Sequence, residues 1–157
     1  MTFTTTTVKA ALCAAGIAGA SIFTAGPAGA NVQSFGATEQ AVDGPLITDY
    51  TVTNLRPSDA VLPGFRPAGQ LYQADVTAKS DAGTVQPQIS RFAARAFNGT
   101  VYPVLNKGPV PNGLDPSPID QGQQRTGELY FDVTGQRPVG VVYTDYDDDF
   151  LVWTRHV

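Results

Sequence analysis

The chain has 157 residues with 10 basic and 14 acidic side chains, a net charge of −4. That length points to one domain, and the charge excludes a nucleic-acid or anionic-membrane surface, which needs a basic patch. One cysteine (Cys13) and one histidine (His156) leave no ligand cluster for zinc and no cysteine–histidine pair for nucleophilic catalysis.

The N-terminus reads as a secretory signal. Residues 1–9 are short and Thr-rich, with one positive charge at Lys9. Residues 10–23 are apolar or small without a charge, too short to span a bilayer, which takes ~20 apolar residues. Gly26 and Pro27 break the run, and Ala28-Gly29-Ala30 forms a small-x-small cleavage site, making Asn31 the expected first residue of the mature chain. Cys13 follows Leu12 and precedes most of the apolar region, so no lipid anchor is expected. Cleavage leaves residues 31–157 without cysteine, with nine basic against fourteen acidic residues, a net −5. Such a chain can bury roughly 65% of its unfolded surface, enough to fold without disulfides. An exported domain without disulfides argues for a bacterial source, and a soluble monomer is expected.

Beyond residue 30 the pattern is strand after strand. Residues 46–55 read as the first, closed by the turn Arg56-Pro57-Ser58-Asp59. Residues 70–78 alternate, with Leu71, Gln73, Asp75 and Thr77 on one face and Tyr72, Ala74, Val76 and Ala78 on the other; neither face is purely polar, so both are partly covered. Gly83 marks a turn. Pro87 places residues 85–96 at an edge or a strand start. Asn98-Gly99, between 94–97 and 100–102, predicts a hairpin with a type I′ turn. Residues 107–120 hold four prolines and two glycines and must form a long irregular loop, of the kind that is functional or mobile. Residues 128–133 place Leu129, Phe131 and Val133 on one face, and 139–143 and 150–153 complete the set. Seven or eight short strands fit an antiparallel two-sheet β-sandwich of immunoglobulin type, with a small closed barrel as the rival.

Three stretches carry a resemblance: PGFRPAGQLY at 63–72, VQPQISRFAAR at 85–95 and QGQQRTGELYFDVTG at 121–135. Together they resemble the small immunogenic extracellular proteins of mycobacteria, over roughly residues 49–153. The resemblance implies an immunoglobulin-like β-sandwich, secretion into the medium, and a source among mycobacteria or close relatives. It implies no reaction, so it carries over no catalytic residue and no cofactor. Residues 31–48 depart from the family's pattern and leave the first strand unassigned, and the acidic run 145–149 is denser than the family's turn. The glycines of the shared motifs read as turn formers, with Gly127 and Gly135 bracketing a strand, and Tyr130, Phe131 and Trp153 as core.

Candidate chemistry is sparse. His156 stands next to the chain's last residue, where ends fray, which opposes a Ser-His-Asp mechanism. Asp145, Asp147, Asp148 and Asp149 offer oxygen ligands for a weak calcium site, although the sixth position of the loop is Phe150 where an EF-hand needs glycine. The other reading is a solvated acidic turn. Glu128 and Asp132 are glycosidase carboxylates by type alone, ~13 Å apart along a strand. Phe65, Tyr72, Tyr102, Tyr143 and Tyr146 are the aromatics available for an exposed contact surface. The expected function is therefore a secreted, non-catalytic binding module for a protein or cell-surface ligand, with the 107–120 loop as its contact region. The alternatives are a small metal-dependent or carboxylate-based hydrolase using residues 145–149, and an envelope-associated structural role.

Overall fold

The computed structural model describes residues 31–106, 110–145 and 148–155. The signal segment, His156 and Asp147 lie outside them. Nine strands run in order: β1 (Asn31–Ser34), β2 (Thr38–Asp43), β3 (Leu46–Pro57), β4 (Gln70–Ala82), β5 (Phe92–Ala96), β6 (Val101–Pro103), β7 (Gln124–Val133), β8 (Pro138–Asp145) and β9 (Asp148–Thr154). One sheet has the order β1-β9-β8-β5-β6 and the other β2-β3-β4-β7. The order β3-β4-β7 facing β9-β8-β5-β6 is the A-B-E against G-F-C-C′ arrangement of an immunoglobulin sandwich. Among the described residues no strand stands in the D position; residues 104–106 and 110–123 cross there instead, held by isolated bridges Val104↔Phe131, Gly113↔Glu128 and Val85↔Ile119.

Alternation explains which residues face inward. On β4 the inner set is Ala74, Val76, Ala78 and Ser80, all essentially inaccessible. On β7 it is Leu129, Phe131 and Val133. Tyr50, Phe92, Tyr143 and Trp153 form the aromatic centre, with Phe92 5.2 Å from Tyr50 and 5.0 Å from Tyr143, both edge-on. Trp153 stacks on Phe92 at 6.3 Å and donates its indole N–H to the Ala37 carbonyl at 2.9 Å. A second cluster of Leu62, Leu71 and Tyr130 covers the outer face of β4 and β7. On β4 it covers only Leu71, the rest of that outer face being the polar Gln73, Asp75, Thr77 and Lys79, and on β7 it buries Tyr130 on the side opposite Phe131.

The two-sheet β-sandwich is as expected, and four details differ from the expectation or add to it. The sandwich is not wholly antiparallel: β1 runs parallel to β9, from Asn31↔Leu151 to Ser34↔Thr154. The polar segment without an assigned strand supplies both β1 and β2. The 96–100 hairpin is not closed by a type I′ turn, because Gly99 has φ +87° while Asn98 is not left-handed. Gly99 N–H donates to Ala96 O, and Ala96 N–H to Thr100 O, which is a three-residue loop with a left-handed glycine closing a bulge. Asn98 serves through its side chain, accepting the Thr100 N–H at 3.1 Å. Finally, Tyr102 and Tyr143 are core residues at 4% exposure, Phe65 and Tyr72 are half-buried, Tyr146 lies outside the described residues, and among these Phe97 at the hairpin tip is an exposed aromatic.

Candidate functional site

The long loop is pinned more firmly than its composition suggests. Leu114 and Ile119 are buried, and Glu128 N–H donates to Asn112 O. Gly127 lies inside β7 and does not bracket it. A Cβ there would stand 2.3 Å from the Leu114 backbone nitrogen, so only glycine lets the loop cross the strand this closely.

Where the loop crosses, it leaves a groove of about 600 Å³. One wall is the 86–90 segment, leading into a short 3-10 turn at Ile89–Arg91. The other is Val104, Leu105, Asn106 and residues 110–116, and the floor is Glu128 and Leu129 of β7. The first wall is tied to the core, since Gln88 N–H donates to the Tyr50 hydroxyl at 3.3 Å. Burial, reinforced by Tyr143, pushes the Tyr50 phenol well above its ordinary value, so it stays protonated. The second wall is tied to the sheet by Leu105 N–H on Tyr130 O at 2.7 Å. The groove is therefore held open by backbone hydrogen bonds on both sides.

Both carboxylates in its lining already have partners. Glu128 accepts from Gln73 Nε2 at 2.9 Å and from the Tyr130 hydroxyl, with Arg56 Nη2 at 3.7 Å. Burial and the Glu128 contact raise the Tyr130 phenol. Asp115 accepts from the amide and hydroxyl of Ser117 and from Arg125. The Ser117 contacts, then Arg125, hold its carboxyl below the ordinary 3.8. A general acid needs a raised pKa to carry a proton at neutral pH, and Asp115 has the opposite. Asp132 is spent on structure, accepting the Ala68 and Gly69 N–H groups at 2.8 Å each.

The acidic turn lies apart from this lining. Asp145 ends β8 opposite Asp148, and Asp149 pairs with Thr144. Thr144 Oγ1 donates to the Arg91 carbonyl, so the turn begins near the groove, yet none of its aspartates is among the described lining residues. The calcium reading falls on side chains outside the described ones. Among the described residues there is no metal-ligating group of three or more His, Cys, Asp or Glu.

Sequence reasoning missed the groove's amides, Gln86, Gln88 and Asn106, which come from separate segments and form no motif. It also missed Glu39, a carboxylate at 1% exposure on β2. Neither Glu39 oxygen has a hydrogen-bond partner. Burial raises its pKa from 4.5 to about 7, with the nearby Asn31 side chain pulling the other way.

Residues 30–153 match the family described as Domain of unknown function (DUF1942). The immunogenic protein MPB63 of Mycobacterium bovis is 38% identical over 110 residues, covering 70% of this chain and 69% of that protein. The immunogenic protein MPT63 of Mycobacterium tuberculosis matches to the same extent. The crystal structure of MPT63, described as a secreted protein from M. tuberculosis, superimposes with a TM-score of 0.78 at 35% identity, covering 82% of this chain and 99% of that one. The family match includes residues 31–48, so β1 and β2 belong to the shared domain. The chain is a member of the DUF1942 family and a homologue of the mycobacterial immunogenic proteins MPB63 and MPT63.

Proposed function

We propose that the chain is an exported, monomeric, non-catalytic binding module, and that the groove between residues 86–90 on one side and 104–106 with 110–116 on the other is its contact site for a protein or cell-surface ligand. The observation that carries this reading is the groove itself: held open from both walls, lined by amides and apolar side chains, with both carboxylates already engaged by neighbouring side chains. Such a site suits the recognition of neutral polar groups. The relatives' names as immunogenic proteins, and the description of one as secreted, support export. A hydrolase built on residues 145–149 draws no support from the described lining of the groove.

The test is a pull-down with residues 31–157 against envelope fractions and host-cell surface extracts, with Asn106→Trp as the groove-filling control. The expected outcome is a partner held by the parent chain and lost by the variant, while both melt at the same temperature. A partner retained by Asn106→Trp would remove the groove from the reading.

A further inference from the structure

Glu39 sits on β2, the edge strand of its sheet, with its side chain turned into the sandwich. A carboxylate buried without a partner is costly, and this one has no donor on either oxygen. The Asn31 side chain lies close enough to lower its pKa, but no neighbouring side chain supplies a positive charge. Its cross-strand neighbour on β3 is Tyr50, whose hydroxyl accepts from Gln88. The stretch of β9 alongside β1, Leu151 to Thr154, carries no charge. β1 has no titratable side chain, and the Asn31 side chain is the polar group acting on Glu39. Asn31 is also the residue at which the cleavage pattern Ala28-Gly29-Ala30 makes the mature chain begin.

We infer that Glu39 is the receptor for the α-ammonium of Asn31, so that removal of the signal segment creates the missing charged partner of a buried carboxylate and ties β1 of one sheet to β2 of the other. In the uncleaved chain the nitrogen of Asn31 is a neutral amide. After cleavage it is an ammonium on the Cα whose side chain already reaches Glu39. An ion pair with an α-ammonium brings charge and three donors to a site that has neither. An inward-facing charge on an edge strand also discourages pairing with another chain, but that role needs no free terminus at residue 31. The inference rests on the export reading above, and the test separates the two.

Intact mass of the secreted protein first fixes the native terminus. The Glu39 carboxyl is then titrated by carbon-13 NMR in the chain beginning at Asn31, in the same chain acetylated on its α-amine, and in a chain retaining residues 28–30. The expected result is an acid constant for Glu39 at least about tenfold larger with the free Asn31 amine than in either blocked form. The α-amine should titrate above its ordinary ~7.7–8.0 and return to that range in Glu39→Gln, which also covers the case in which a blocked form folds poorly. A Glu39 titration unchanged by acetylation overturns the ion pair while leaving export intact. A native terminus elsewhere than Asn31 overturns it as well, and an absent secreted form overturns both readings.

Discussion

Glu39 shows how one side chain sets a pH dependence. Burial raises its pKa in the fold from 4.5 to about 7, so between those values the folded chain holds the proton more tightly than the unfolded chain. Stability is then full below about pH 4.5 and falls as pH rises through 7, by about 3 kcal/mol in total. This applies where the Asn31 nitrogen is blocked. Urea unfolding of the 28–157 chain from pH 4.5 to 8 should show the decline, and Glu39→Gln should flatten it. Equal slopes for the two would mean that Glu39 titrates as an exposed acid does. Nothing in the sequence announced this residue. Thr38, Glu39, Gln40 and Asp43 make β2 polar on both faces, so alternation could not say which side is buried. The Gln86, Gln88 and Asn106 amides were equally silent, because amides at distant positions acquire meaning only when the chain brings them together.

Among the elements, legibility followed the contrast between faces. β3, β4, β7, β8 and β9 alternate or run apolar and were readable within a few residues of their observed ends. β1 and β2 were not, because each is an edge strand held mainly by its backbone pairing. The 96–100 hairpin was placed correctly from Asn98-Gly99, but its turn type was not. That choice depends on the bulge at Ala96–Thr100, where the hairpin partners do not pair in simple two-residue register. Gly127 is the clearest case of a residue whose role is visible only in three dimensions. In sequence it flanks a strand; in the fold it lets the 110–116 loop cross β7 at backbone contact distance. Gly127→Ala should cost about 1–3 kcal/mol by forcing the two apart. Chemical denaturation would measure the loss, and amide shifts should move along residues 110–116. A neutral substitution would mean the loop yields freely, which would also weaken its place as a fixed groove wall.

For the molecule as a whole, two sheets close over an aromatic centre to which β9 contributes Leu151 and Trp153. Trp153 is inaccessible, stacked on Phe92 and hydrogen-bonded to Ala37. Trp153→Ala should therefore cost about 3–5 kcal/mol, a large share of the 5–15 kcal/mol typical of a domain. Circular dichroism during thermal unfolding would show it as a large drop in melting temperature, whereas a small drop would place the centre of stability in the second cluster. The parallel pairing of β1 with β9 bears on biogenesis. β1 takes its place beside a strand that the ribosome makes far later in the chain. A nascent chain still lacking β9 has neither the indole at its centre nor a neighbour for β1, so it cannot finish its first sheet. Contacts spanning this much sequence form slowly. A chain that has not yet reached β9 therefore stays open, and the sandwich closes only when that strand arrives to fill its centre and flank β1.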